Sequence, residues 1–137
     1  MAKSKSTITT QGIGDIYIFK TTVQIHNELD NGTKLTVHCK SKDDDLGSHI
    51  LGNKEVFEWK FRINFAGTTL FYCGLTWEGA SRTFDIFDAP RDSNRCASTC
   101  IWRIRNDGVH GYHDIDQKDD DIHFKWDQDE SQSILRI

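Results

Sequence analysis

Apolar residues recur at every second position along much of the chain, and this period constrains the fold more than any other feature. Phe57, Trp59, Phe61 and Ile63 alternate with Glu58, Lys60 and Arg62. Side chains on a strand point to opposite faces in turn, so this pattern marks a half-buried β-strand. Val23, Ile25 and the later Leu29 alternate with Gln24 and His26, and Leu35, Val37 and Cys39 with Thr36, His38 and Lys40. Near the end of the chain, Ile122, Phe124 and Trp126 alternate with His123 and Lys125. Residues 68–75, 83–87, 101–105 and 109–113 are rich in β-formers, and 16–19 offers a first edge strand. The segments between carry turn residues. Asp30-Asn31-Gly32 predicts a hairpin joining its flanking strands, Trp77-Glu78-Gly79-Ala80-Ser81 a turn, and Asn106-Asp107-Gly108 another. No window shows the period of an amphipathic helix. Eight or nine short strands, each with one apolar and one polar face, predict an all-β fold: an antiparallel β-sandwich of two sheets.

A length of 137 residues suits one domain with its own core. The expected layout is a flexible N-terminal segment over 1–14, a single domain over 15–130 and a tail over 131–137. Mean hydropathy is low at −0.59, yet the chain holds four Trp, three Tyr and eight Phe, more rings than a disordered chain carries. The net charge of −4 gives no global attraction to nucleic acid, so none is expected as a partner. No run of 18 apolar residues occurs, so no transmembrane segment is expected.

Four cysteines, Cys39, Cys73, Cys96 and Cys100, allow two disulfides in three pairings. Free buried thiols and a zinc site are the competing readings. Zinc is disfavoured because no Cys-x2-Cys knuckle is present. Two disulfides imply an oxidising compartment, hence secretion. The polar start of the chain lacks an apolar signal core, which fits either a cytosolic protein or a mature form without its signal peptide; the cysteines favour the second. Asn31-Gly32-Thr33 is then a glycosylation acceptor at Asn31 as well as a turn. From the strand positions, the expected pairs are Cys39–Cys100 and Cys73–Cys96, worth about 4 and about 3 kcal/mol by loop closure.

The search for chemistry is sparse. His110 and His113, three apart on a strand, face opposite sides and do not converge on a metal. His38 and His123 read as solvated. The acidic run 114–121 lacks the glycine and glutamate of a calcium loop and reads as a solvated loop. Lys42-Asp43-Asp44-Asp45-Leu46-Gly47 reads as an acidic turn. Neither a nucleophile elbow nor a phosphate-binding glycine loop occurs. No metal, cofactor or catalytic residue is assigned, and no enzyme is expected.

Several blocks resemble one known family. His38-Cys39-Lys40-Ser41-Lys42-Asp43-Asp44-Asp45-Leu46-Gly47, then Trp59-Lys60-Phe61, then Thr69-Leu70-Phe71-Tyr72-Cys73, then Cys100-Ile101-Trp102-Arg103-Ile104 with Asp107-Gly108, resemble the plant self-incompatibility protein S1 family, the S-protein homologues. The match runs over roughly residues 20 to 127 and includes all four cysteines. The resemblance implies a small secreted plant protein with a disulfide-linked β-sandwich and no enzymatic activity. In the founding members it implies an extracellular signalling ligand for a cell-surface receptor. The display loops would be 43–53, 77–82, 88–94 and 114–121. Their candidate contact residues are Asp43, Asp44, Asp45, Trp77, Asp88, Arg91, Asp114, Asp116, Asp119 and Asp120, presented by a monomer. The alternative is a secreted carbohydrate- or membrane-directed defence protein, for which Trp77 is the suggestive residue.

Overall fold

The computed structural model describes residues 19–113 and 118–127. Expectations for 1–14, 16–18 and 131–137, and for Asp114 and Asp116, lie outside the described residues. Nine strands and one short helix follow in order: β1 Lys20–Asn27, β2 Leu35–Ser41, β3 Asp45–Leu51, β4 Val56–Arg62, β5 Leu70–Trp77, β6 Ala80–Asp88, α1 Ala89–Asp92, β7 Thr99–Arg105, β8 Gly108–Tyr112 and β9 Ile122–Phe124. They form two sheets, one ordered β9-β8-β7-β1-β4 and the other β3-β2-β5-β6. All neighbours are antiparallel except β1 and β7, which run parallel with Val23 opposite Cys100. The entry to β7 is tied to the start of β1 by Thr21 Oγ1 donating to the Ala97 carbonyl (2.6 Å) and the Thr22 N–H to that of Ser98 (2.9 Å).

The two-residue period holds. Val23, Ile25, Leu35, Val37, Leu75 and Ile104 are all fully buried between the sheets. Phe57, Trp59 and Phe61 of β4 turn inward, while Glu58, Lys60 and Arg62 are exposed. Phe61 meets Phe71 at 4.6 Å and Phe87 edge-on at 4.8 Å, which closes the sandwich along this edge. Fully burying a side chain such as Phe87 contributes about 1.5–3 kcal/mol. Trp102 is fully buried and donates Nε1–H to the Ile86 carbonyl at 3.1 Å. It fits because Gly111 stands opposite on β8, where a Cβ would lie 2.8 Å from the indole.

Three sequence expectations change. Asp30-Asn31-Gly32 is not a hairpin: its flanking strands lie in different sheets, and the segment is a 3-10 turn on a crossover. Asn31 and Gly32 do adopt the positive φ that Asn-Gly favours (60° and 69°). Leu29 and Leu35 both bury in the core, however, which directs the chain across rather than back. Asn27, fully buried, fixes this crossing. Its Nδ2 donates to the carbonyls of Thr33, Leu51 and Gly52, and its Oδ1 accepts the Leu29 N–H.

The 43–53 loop is mostly strand β3. It is an edge strand with Ile50 turned outward, 66% exposed, so no buried alternation announces it.

The disulfides are Cys39–Cys73 and Cys96–Cys100, not Cys39–Cys100 and Cys73–Cys96. Cys39 and Cys73 are directly paired across β2 and β5, with Cα atoms 4.0 Å apart, whereas Cys100 sits in the other sheet. Cys96 and Cys100 close the short loop between α1 and β7, with Cα atoms 5.1 Å apart.

Candidate functional site

The turn joining β2 to β3 and the loop joining β4 to β5 meet at one end of the sandwich. Between them lies a cleft of about 590 Å³. Phe61 and Phe71 bring aromatic surface to it, Lys42 and Arg62 cations, and Asp43 and Asp44 anions. These four charged side chains are exposed and make no ion pair among the described residues. Leu70 and Tyr72 also border the cleft, at 39% and 40% exposure.

Both loops are held by their own hydrogen bonds. Ser41 N–H donates to the Asp44 carbonyl (2.7 Å), and Asp44 N–H donates to Ser41 Oγ (3.1 Å). Asn64 organises the second loop. Its N–H donates to Thr69 Oγ1 (2.7 Å), its Nδ2 donates to Thr68 Oγ1 (3.0 Å), and its Oδ1 accepts from Thr68 N–H (2.8 Å). Gly67, at φ 71°, donates its N–H back to the Asn64 carbonyl and closes a turn. At that turn Phe65 is 95% exposed. A phenyl ring this exposed gains no burial from the fold and leaves its whole apolar surface available to a partner.

The expected contact residues separate into several environments. Asp43 and Asp44 stand at the cleft. Asp45 accepts from the Gly47 N–H (2.9 Å) and meets His38 Nε2 (2.6 Å); these two contacts, the first foremost, hold its carboxyl below the usual range. Asp88 ends β6, and its N–H donates to the carboxylate of Asp92. Arg91 folds onto Asp92 at 2.8 Å and onto the Asp85 carbonyl at 3.0 Å. Trp77 is half-buried at the far end of β5 and packs edge-on against Trp126 at 5.6 Å. Asp119 is exposed, and Asp120 meets His110 Nδ1 at 2.6 Å. Asn31 is exposed on its turn, and the Thr33 hydroxyl donates to the Asp30 carbonyl at 2.8 Å.

The structure adds residues that sequence reasoning passed over. Lys42 and Arg62 join the cleft from elements that periodicity treats as connection or outer face, and Phe65 stands on the turn between the lining residues Asn64 and Thr68. The isolated Phe65, flanked by Asn64 and Ala66-Gly67, is the one signal that a ring sits on a turn. Asp92 is fully buried and takes both Arg91 and Arg95 (2.8 and 2.9 Å). Arg95 continues to Asp121 at 2.8 Å; burial raises that carboxyl's pKa, but the guanidinium outweighs burial and leaves it lowered. On the other sheet, Glu28 accepts from Arg103 (2.6 Å) and Arg105 (3.0 Å), and these bonds likewise outweigh burial and depress its pKa. Metal-ligating groups converge only away from the cleft among the described residues, at Asp107, His110 and His123.

No helix of the described residues is long and apolar enough to cross a membrane. The family model of the plant self-incompatibility protein S1 matches residues 22–126. S-protein homolog 6 of Arabidopsis thaliana is 42% identical over 122 residues, covering 86% of this chain and 87% of that protein. S-protein homolog 2 of the same plant is 41% identical over 113 residues, covering 80% and 70%. Among solved structures, a self-incompatibility protein homologue described as one of a widespread family of small, highly stable, secreted plant proteins superposes with a TM-score of 0.62. It shares 19% identity and covers 80% of this chain and 96% of that one.

Proposed function

The chain belongs to the plant self-incompatibility protein S1 family, and from that premise we propose that it is a secreted extracellular ligand, read by a cell-surface receptor through the cleft end of the sandwich. It acts by binding and not by catalysis, as a monomer. Secretion accords with the two disulfides and with the description of the structural neighbour as secreted. The observation that carries the reading is Phe65, exposed on a turn that Asn64 has already ordered, beside a cleft with Asp43, Asp44, Lys42 and Arg62 at its margin. A pre-ordered loop loses little entropy on docking, and an exposed aromatic ring brings a large apolar contact area to a partner. The hydroxyls of Ser41, Thr68 and Thr69 each accept a hydrogen bond that holds their own loops in shape.

The test is saturable binding of the labelled protein to plant cells and to protease-treated cells. Wild type is expected to bind a protease-sensitive site. Phe65→Ser and the Asp43→Ala/Asp44→Ala pair are expected to lose at least tenfold in affinity while keeping the wild-type Tm. Equal binding by both variants, or binding that survives protease treatment, overturns the reading.

A further inference from the structure

The outer face of the five-stranded sheet carries a second cluster, unrelated to the cleft. β9 pairs with β8 so that His123 stands directly opposite His110. Residues directly opposite on adjacent strands share a face, so two histidines thirteen positions apart in sequence meet here. Their rings stack at 4.3 Å with 14° between planes. The two-residue turn between Arg105 and Gly108 then brings Asp107 beneath them, with its Oδ1 2.7 Å from His110 Nε2. One ligand atom from each of Asp107, His110 and His123 lies within 4.8 Å of the others. His110 is 7% exposed, while Asp107 and His123 face solvent. The donor set is therefore anchored on the inside and open on the outside.

We propose that Asp107, His110 and His123 bind one divalent transition-metal ion such as Zn2+, with Asp120 as a positioning residue for His110. Two imidazole nitrogens and one carboxylate oxygen suit borderline ions such as zinc, whereas calcium and magnesium take all-oxygen shells. Asp120 Oδ2 lies 2.6 Å from His110 Nδ1. A carboxylate there holds an N–H on Nδ1, the arrangement that orients a metal-bound histidine; Nε2 is hydrogen-bonded to Asp107 Oδ1 at 2.7 Å, and the ion takes the place of that shared proton, which is released to solvent. Gly108 makes the approach of His123 possible. A Cβ at that position would lie 2.6 Å from His123 Nε2 and 2.4 Å from the Phe124 carbonyl oxygen. To ligate, His123 must tilt out of the stack, and its exposure leaves room for that movement. Three protein donors leave a further coordination position for water or for a side chain of another molecule.

The test is calorimetric titration of the full chain with ZnCl2, repeated with CaCl2. One Zn2+ per chain with saturable binding is expected, and at least tenfold weaker binding of Ca2+. His123→Ala, at an exposed position, is expected to keep the wild-type Tm and lose at least tenfold in Zn2+ affinity. Asp120→Asn is expected to weaken binding about 10- to 100-fold. It should also shift the visible absorption bands of bound Co2+, which a role in folding alone would leave unmoved. His38→Ala, outside the cluster, is expected to bind as wild type. Absence of saturable Zn2+ binding, unchanged affinity in His123→Ala, or loss of binding in His38→Ala overturns the proposal.

Discussion

Two loops lie side by side at one end of the sandwich, joined by the Ala89 N–H donating to the Thr69 carbonyl at 2.9 Å. They differ already in sequence: Ile63-Asn64-Phe65-Ala66-Gly67-Thr68-Thr69 holds no charged residue, whereas 88–99 holds Asp88, Arg91, Asp92 and Arg95. In the structure they are opposites. The 63–69 loop is held by Asn64 and turns Phe65 fully outward. The segment 88–99 turns its charges inward. Asp92 is fully buried between Arg91 and Arg95, Arg95 runs on to Asp121, and Cys96 is bonded to Cys100. A charged connection is a display surface only when its charges lack partners inside the same molecule. By that measure Arg91 stabilises the scaffold, and Asp43 and Asp44 are placed to meet a partner.

The sharpest way to break this contrast is Asp92→Ala. It leaves two guanidinium groups without their shared buried carboxylate. Removing one partner of a buried ion pair costs about 3–5 kcal/mol. Chemical denaturation is expected to show a loss of that size, while Asp43→Ala/Asp44→Ala stays within about 0.5 kcal/mol of wild type. Equal, small losses in both would mean that the inward and the outward carboxylates do not differ.

The disulfides extend the same comparison. By loop closure, Cys39–Cys73, with a sequence separation of 34, is worth about 4 kcal/mol, and Cys96–Cys100, with a separation of 4, about 2 kcal/mol. Paired Cys→Ser replacements measured by denaturation check this order. The shorter bridge lies in the segment that Asp92 also holds. Losing both is therefore expected to be non-additive in a double-mutant cycle, by at least about 0.5 kcal/mol. Strict additivity would mean that the bridge and the buried carboxylate act independently.

These differences explain what was legible beforehand. Strand period reports which side chains face a core, and it placed Val23, Ile25, Leu35, Val37, Phe57, Trp59 and Phe61 correctly. It does not report which sheet a strand joins. The crossover at Asn31 therefore read as a hairpin, and Cys39 was matched with a cysteine of the other sheet. β3 escaped notice because an edge strand with Ile50 in solvent has no apolar face to betray it. The same limit hid the convergence of His110 with His123. Spacing within one strand compares His110 only with His113, whereas cross-strand register is a property of the pairing, not of the spacing. The cleft was legible in part. Asp43 and Asp44 stood out as an acidic turn, whereas Arg62 read only as the outer face of its strand.

Acid tests the inward wiring with a smaller effect. Glu28 and Asp121 have folded-state pKa values below their ordinary values of 4.5 and 3.8. The unfolded chain therefore binds more protons as pH falls, so stability rises with pH in this window. The contribution is fully present above the ordinary values and is lost as pH drops through them toward the depressed folded values. Burial, and then the charge of Arg103, depress His26 in the same sense, so its share is lost earlier, from its ordinary 6.5 downward. Each exposed or half-exposed carboxylate adds about 1 kcal/mol or less after screening. Denaturation midpoints taken from pH 7 to pH 3 should fall, and in Arg95→Gln the Asp121 share of that fall should shrink. A midpoint that rises on acidification would contradict the assigned directions.

The smallest effect on stability belongs to Phe65→Ser, and it sharpens the comparison most. At 95% exposure the ring has almost no apolar burial to lose, so the Tm should stay within about 1–2 °C of wild type. The mutation instead removes an exposed apolar ring, which should lengthen the time the protein stays monodisperse at high concentration, measured by light scattering. The turn that carries this exposed ring is held by the hydrogen bonds of Asn64. Asn64→Ala should therefore leave the ring present but unordered. Its binding to cells is expected to fall by an amount between wild type and Phe65→Ser, because the ordering entropy is then lost on docking. Binding of Asn64→Ala equal to wild type would show that the turn's rigidity is incidental, and that the cleft-side loop is set apart from its neighbour by exposure alone.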